Sequence, residues 1–345
     1  MKMGWRKLLL PLSGLYWIVT TIRNLLYDFG LLSSKKFKIP VICIGNLSVG
    51  GTGKSPHVIM VAEILKDYFD VAMLSRGYGR KTSGLKIANY NSKVYDIGDE
   101  PLQFFNRFKN KIVVAVGENR VNAIEYLINS FKTNAVIMDD GFQHRQLKPG
   151  FSILLTTFKD PYPDDYLLPA GNLREPRHGA KRANIIIVTK CPEHFTVKQK
   201  NEIAAKIKPR AGQKLYFSKI VYSQKILGFR FSVDEYEWGE YDALVITGIA
   251  RSGLFVDYVK QKFRSVQHMK FSDHHNFSIA DIRSIEEHYD KMKNLNKIIL
   301  TTEKDYMRLK DESALIENLF YLPIEIELDD YDDFKKNLLN YAGKN

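Results

Sequence analysis

The stretch at residues 38–69, KIPVICIGNLSVGGTGKSPHVIMVAEILKDYF, decides the fold. Its opening, KIPVICIG, is a short apolar run rich in β-branched residues and reads as a buried strand. Its end, KSPHVIMVAEILKDYF, reads as a helix with a broad apolar face. Between them stands Ser48-Val-Gly-Gly-Thr-Gly-Lys-Ser55. Glycines at 50, 51 and 53 let the backbone wrap a phosphate with its N–H groups pointing inward. The helix N-terminus adds a positive partial charge, Lys54 reaches the terminal phosphates, and the Ser55 hydroxyl can ligate Mg²⁺. The strict pattern G-x-x-x-x-G-K-[ST] has glycine where this chain has Ser48, and Gly50 and Gly51 supply flexibility beside it. The competing reading is a glycine-rich turn with a chance lysine, and the strand before and helix after argue against it. Ser48, Val49, Gly50, Gly51, Thr52, Gly53, Lys54 and Ser55 are therefore the candidate nucleotide-phosphate loop.

A loop of this kind needs a carboxylate on the metal side, at the end of a neighbouring strand. NAVIMDDGFQH at 134–144 offers an apolar strand ending in Asp139 and Asp140. One carboxylate can hold Mg²⁺ directly or through water while the other orients it or the attacking group. Two adjacent aspartates after a strand are often only a turn, and it is the phosphate loop that gives them a magnesium role. VTKCP at 188–192 invites comparison with the N/T-K-x-D loop that reads guanine, but Pro192 stands where the essential aspartate belongs. Adenine is therefore the expected base.

Outward from this centre, strand-like and helix-like segments alternate, the pattern of an α/β domain. Apolar strands are predicted at 71–74, 111–116, 134–138, 151–156 and 184–190, with a helix-period segment at 120–131. Residues 157–183 hold four prolines and little periodicity, which predicts a long functional loop. KLYFSKIVY at 214–222 alternates like an exposed strand, and a second α/β unit starts with YDALVITGIA at 241–250. LFYLPIEIEL at 319–328 reads as a late strand that pairs back against 214–222, followed by a polar C-terminal helix. The domains expected are a helix at 1–35, a phosphate-loop domain at 36–213, a linker at 214–240, a smaller α/β domain at 241–318, and a return strand and helix at 319–345.

Composition bounds the function. The 345 residues are 45% hydrophobic and 26% charged, the balance of an ordinary folded protein. Two cysteines, Cys43 and Cys191, exclude a disulfide scaffold and a four-thiolate zinc site. The net charge is +12, which points to an anionic partner: nucleic acid, a membrane surface or a phosphorylated substrate. Residues 1–40 carry seven basic side chains and one acidic, half of that excess. Within them LLLPLSGLYWIVTTI runs fifteen residues without a charge. As a helix it would span ~22 Å, short of a ~30 Å hydrocarbon core. Trp5, Tyr16 and Trp17 with basic flanks favour an interfacial helix at a membrane surface over plain core packing. No nucleic-acid-binding module is recognisable, so nucleic acid is not an expected partner.

Other polar clusters have two readings each. Gly98-Asp99-Glu100-Pro101 is either a helix start or a carboxylate acting as base toward a hydroxyl. Asp273-His274-His275 precedes Ser278-Ile-Ala-Asp281, a capping box, and leaves its histidines in a loop where one could pair with a carboxylate as general base. Thr302-Glu-Lys-Asp305 reads as a second capping box with a structural role. Arg120, opening a helix, and Arg174 in the proline-rich loop are candidates to contact phosphate, as the guanidinium fork suits.

Taken together, these motifs resemble the tetraacyldisaccharide 4'-kinase family. The strings that carry the resemblance are IGNLSVGGTGKSP (44–56), LSRGYGRK (74–81), GDEP (98–101), DDGFQH (139–144), LLPAGNLREP (167–176), TGIAR (247–251), FSDHHNF (271–277) and TTEKDYMRL (301–309). Ser252 and Ser272 stand where the family pattern has proline. The resemblance implies a P-loop NTPase-like α/β/α sandwich with a second, smaller α/β/α domain joined by a two-stranded linker. It implies Mg²⁺-ATP-dependent phosphorylation of the 4'-hydroxyl of a tetraacylated glucosamine disaccharide 1-phosphate, giving lipid IVA for lipid A, at the cytoplasmic face of the inner membrane. It further implies Asp99 and His274 as the base dyad, Asp139, Asp140 and Glu175 around the metal, and Arg120 and Arg174 near phosphate. The rival classes are a membrane-associated P-loop ATPase and a nucleotide switch acting on a protein or nucleic-acid partner.

Overall fold

The computed structural model describes residues 5–249, 252–273, 275–312 and 315–343. In chain order the first half holds α1 (Leu10–Asp28), β1 (Val41–Asn46), α2 (Lys54–Leu65), β2 (Val71–Ser75), β3 (Lys86–Ile87), α3 (Val94–Ile97), α4 (Asp99–Phe108), β4 (Val113–Val116) and α5 (Arg120–Phe131). There follow β5 (Ala135–Asp139), β6 (Phe151–Thr157), β7 (Ile185–Thr189), α6 (Val197–Ile207), β8 (Lys214–Tyr222), β9 (Lys225–Gly228) and β10 (Ser232–Asp234). The rest are β11 (Asp242–Thr247), α7 (Gly253–Lys262), β12 (Ser265–Lys270), α8 (Ile279–Asp290), β13 (Lys297–Thr302), α9 (Glu303–Leu309), β14 (Leu319–Leu322), β15 (Ile324–Leu328) and α10 (Tyr331–Ala342). The chain forms two compact units. The first comprises Met1–Asn91, Phe104–Ile220 and Ile326–Asn345; the second comprises Ser92–Gln103 and Val221–Glu325.

The first unit is built on a nine-stranded sheet of order β15-β8-β7-β6-β1-β5-β2-β4-β3. From β8 to β4 the neighbours are parallel, and β3 closes the edge antiparallel to β4. Successive side chains of a strand face opposite ways, so β1 feeds two separate cores. Ile42 and Ile44 join a core with α2, α10 and the Phe104–Phe108 end of α4. Val41 and Cys43 join a second core with α5 and α6 on the other face. Every residue of β1 is buried, as a central parallel strand covered by helices requires. This is the three-layered α/β/α sandwich expected from the sequence.

The second unit carries a six-stranded sheet of order β10-β9-β14-β13-β11-β12. Strands β14, β13, β11 and β12 are parallel, and β9 and β10 add antiparallel. Trp238, fully buried, stacks on Phe263 at 5.4 Å in its core.

Three differences from the sequence reading have physical causes. LFYLPIEIEL is two strands, not one: Pro323 has no N–H for a ladder, so β14 joins the second sheet and β15 returns to pair beside β8 in the first. Residues 225–234, expected in a linker, form β9 and β10 of the second sheet. The segment Ser92–Gln103, expected inside the phosphate-loop domain, belongs to the second unit. Its acidic pair accounts for this: Asp99 bonds Arg308 and Glu100 bonds Lys304.

Helix α1 inverts the usual amphipathic rule. Its buried residues are Ser13, Thr20 and Asn24, while Leu12, Leu15, Val19 and Ile22 are each more than half exposed. The segment Arg6–Asp28 is, by length and composition, long and apolar enough to cross a membrane. The charge-free run alone suggested a shorter helix, because Arg23 and Asp28 in fact lie within it. Its polar stripe lies along the first unit. Arg6 donates to the carbonyl of Pro169 at 2.8 Å, Ser13 to that of Leu167 at 3.0 Å, Tyr16 to that of Arg174 at 2.8 Å and Arg23 to that of Gln143 at 2.6 Å.

Candidate nucleotide site

The loop after β1 and the start of α2 lie at the carboxyl end of the parallel sheet, where open α/β sheets bind ligands. Gly50 and Gly53 have φ of +104° and +86°, conformations that favour glycine and turn the backbone around the loop. The loop is braced on several sides. Asn46, fully buried, donates from Nδ2 to Thr52 Oγ1 at 2.9 Å. Thr189 Oγ1 donates to the Thr52 carbonyl at 2.8 Å, and Lys190 Nζ donates to the Gly51 carbonyl at 2.6 Å. Val49 N–H donates to Asn172, and Ser48 makes an antiparallel bridge with Leu173.

His57, one turn into α2, closes the base of the loop. Its Nδ1 lies 2.7 Å from the Gly53 carbonyl, and Nε2 lies 3.0 Å from Ser218 Oγ. A carbonyl only accepts, so the proton sits on Nδ1 and Ser218 donates to Nε2. Burial disfavours the imidazolium and pushes the His57 pKa down to about 4.

Lys54 Nζ stands 3.7 Å from Asp140 Oδ2. Asp140 follows β5 with φ +52° and receives both Nη atoms of Arg174, at 2.8 and 3.2 Å. Burial raises the Asp140 pKa, but Arg174 and Lys54 outweigh it and hold the carboxyl below its ordinary value. Arg174 also bonds Asn46 Oδ1, so one guanidinium joins the end of β1 to the aspartate pair. Asp139 and Ser55 are both buried, at the end of β5 and the start of α2. Arg120, at the start of α5 and 3% exposed, bonds the Gly117 carbonyl. Its pKa is pushed down to about 10 by burial, opposed by the negative charge of Asp139.

The structure thus gathers Lys54, Asp140 and Arg174. Glu175 is different. Its carboxylate takes Arg182 at 2.8 and 2.9 Å, Gln143 Nε2 at 2.9 Å and Asn24 Nδ2 at 3.3 Å. Among the described residues no three His, Cys, Asp or Glu side chains are gathered as a metal cluster. Asp140 is drawn to Arg174 and Lys54, and Glu175 is drawn to Arg182. Mg²⁺ keeps several waters and needs only one or two protein carboxylates beside phosphate. The oxygen-only donors Ser55 and Asp139, both buried, and Asp140, a third exposed, fit that requirement.

Asp99 is 5% exposed at the first position of α4, in the second unit. His274 lies outside the described residues. His275 bonds Asp281 at 3.0 Å and packs between Phe271 and Phe277, a structural arrangement. The capping box at Ser278 and Asp281 is formed as expected. Asn46, Gln143, Thr189 and Lys190 were not singled out from the sequence. Gln143 donates to the Asn46 carbonyl at 2.8 Å as well as to Glu175. VTKCP held the available signal for Thr189 and Lys190: a strand end in the same sheet, here bracing the phosphate loop rather than reading a base.

A glycine loop between a central parallel strand and a helix, with its lysine facing an aspartate on the next strand, defines a P-loop nucleotide-binding protein. Within that class the chain belongs to the Tetraacyldisaccharide-1-P 4'-kinase family, which it matches over residues 5–342. It is 42% identical to the tetraacyldisaccharide 4'-kinase of Flavobacterium johnsoniae, across 99% of this chain and 98% of that one. Identity to the enzyme of the same name from Bacteroides thetaiotaomicron is 41%, across 98% and 94%. Its fold is similar to that of LpxK from Aquifex aeolicus, crystallised in complex with ATP. The TM-score is 0.77 and the identity 31%, across 98% of this chain and 99% of that one.

Proposed function

We infer that the chain is an ATP-dependent kinase that transfers a phosphoryl group to the 4'-hydroxyl of a tetraacylated glucosamine disaccharide 1-phosphate, giving lipid IVA. The observation that carries this reading is the Lys54–Asp140–Arg174 constellation around an intact phosphate loop, in a chain that matches the kinase family almost end to end. Residues Ser48 to Ser55 cradle the phosphates of ATP. Lys54, Arg120 and Arg174 bring positive charge to the β- and γ-phosphates, where charge shifts during transfer. Ser55, Asp139 and Asp140 are the residues that would hold a magnesium ion, which when bound neutralises phosphate charge. Glu175 acts one step removed, fixing Arg182 and Gln143. Asp99, with His274, takes the proton of the attacking sugar hydroxyl.

We place the enzyme on a membrane surface, the cytoplasmic face of the inner membrane. The exposed stripe Leu12, Leu15, Val19 and Ile22 and the basic residues on either side of it support this placement. The deciding experiment supplies labelled ATP, Mg²⁺ and the lipid disaccharide 1-phosphate to the full chain. Label in the lipid, abolished by chelating the metal, is the expected result. Label released only as free phosphate would refute the kinase reading and favour an ATPase or nucleotide switch.

A further inference from the structure

In the second unit three buried charged side chains are joined in a row. Asp99 Oδ1 accepts the N–H of Glu100 at 2.9 Å, and Oδ2 accepts Nη2 of Arg308. Nη1 of the same guanidinium donates to Asp305 Oδ1 at 2.9 Å. Asp305 Oδ2 in turn accepts the N–H of Gly248 at 2.9 Å and the hydroxyl of Thr302 at 2.8 Å. The side chains of Arg308 and Asp99 are 6% exposed, and Asp305 is not exposed at all. Asp305 and Arg308 are three residues apart on α9, so the helix presents them on one face.

As a stability device this arrangement is poor. Burying charged side chains carries a desolvation cost, and apolar residues of similar volume often serve stability better. Its merit is geometric. Each end of the row is fixed by a backbone N–H, of Glu100 at one end and Gly248 at the other, and the guanidinium plane is set between them.

We propose that Arg308 and Asp305 are positioning residues for phosphoryl transfer, holding the Asp99 carboxylate in one orientation for the proton of the attacking hydroxyl. This rests on the reading of Asp99 as part of the base. TTEKDYMRL is then more than a helix start: Thr302 and Asp305 aim an arginine at an aspartate over two hundred positions earlier in the chain. Among the described residues, the charged groups facing Asp99 include Arg308 and Asp305 from α9, together with Glu100 on its own helix and the Lys304 paired to it.

The test uses the full-length enzyme with Mg²⁺-ATP and the lipid disaccharide, and compares Arg308→Met, Arg308→Lys, Asp305→Asn and Asp99→Asn. Arg308→Met should lower kcat ~100-fold, as a misaligned catalytic group does, and leave the KM for ATP within about twofold of the parent. The acidic limb of its pH–rate profile should move to higher pH, because the cation favouring ionised Asp99 is gone. Asp305→Asn removes a neighbouring negative charge and should move that limb the opposite way. Arg308→Lys, which keeps the charge without the fork, should recover about tenfold of the lost turnover. A merely structural role would not give opposite shifts in pH. If Arg308→Met does not fold, Arg308→Lys and Asp305→Asn decide the matter through turnover and the direction of the limb. Parental profiles in the Arg308 and Asp305 variants beside an inactive Asp99→Asn would overturn the positioning inference alone. An active Asp99→Asn would instead overturn the base reading on which it rests.

Discussion

Each unit of this protein clamps an aspartate with an arginine, and among the described residues the two clamps have opposite charge balance. Asp140, with a third of its side chain exposed, faces two cations, Lys54 and Arg174. Asp99, almost completely buried, shares Arg308 with a second carboxylate, Asp305. The first cluster has positive charge to spare and suits an incoming anion, with the aspartate holding its cations in place until phosphate arrives. The second, among the described residues, holds two carboxylates to one guanidinium, a balance in keeping with the proposed role of Asp99 as proton acceptor. On the proposed roles, the same residue types serve opposite chemistry because the charges gathered around each aspartate differ.

The largest effect should come from breaking the first balance. Lys54→Met should lower the rate of label transfer ~1000-fold, the range for removing a cation that stabilises developing charge. The complementary change, Asp140→Asn, should cut turnover ~100-fold and raise the Mg²⁺ concentration needed for half-maximal rate, because a metal-side carboxylate is lost. Turnover within tenfold of the parent in either variant would remove Lys54 and Asp140 from the chemistry.

A smaller effect should come from the helix that holds the proline-rich loop. Tyr16 bonds the backbone of Arg174, and Asn24 bonds Glu175. The double variant Tyr16→Phe, Asn24→Ala should lose about tenfold in kcat by loosening the arginine that holds Asp140. Flotation with anionic vesicles should be unchanged, since the exposed apolar stripe is intact. Loss of flotation together with turnover would mean that these residues serve membrane contact instead.

The smallest effect concerns stability. His57 is kept neutral in the folded chain at a pKa of about 4, against 6.5 for an unperturbed histidine. Below pH 6.5 the unfolded chain therefore takes up a proton that the folded chain refuses. The contribution is complete above pH 6.5 and is lost progressively as the pH falls toward 4, by about 3 kcal/mol. His57→Gln should flatten that part of the pH–stability curve measured by denaturant unfolding. An unchanged acid slope would show that His57 is not the group responsible.

Much of the nucleotide half was legible in the sequence because its signals are local. The phosphate loop, its strand and its helix are contiguous from Val41 to Leu65. The Asp139–Asp140 pair could be read because a P-loop requires a carboxylate at the end of a neighbouring strand. What escaped was long-range. Nothing near Arg308 announces Asp99, and nothing near Thr189 announces Thr52, since side chains distant in sequence meet only after the sheets have formed. The partners of Glu175 escaped for a related reason: Asn24, Gln143 and Arg182 come from three separate segments. Pro323 was visible, but its consequence depended on two different sheets lying ready on either side of it. For α1 the apolar periodicity was read correctly as a helix, while the buried face turned out to be the polar one.

That reversed helix bears on how a soluble form of the enzyme could be engineered. Removing the N-terminal segment would delete Arg6, Ser13, Tyr16, Arg23 and Asn24 together with the greasy stripe, and the proline-rich loop would lose five of its fasteners or those of its neighbour, the loop at Gln143. Recolouring only the outer face, with polar residues at Leu12, Leu15, Val19 and Ile22, separates the two duties. On the proposed membrane placement, such a variant would leave the lipid surface with its phosphate loop still fastened, and water solubility would be gained without dismantling the catalyst.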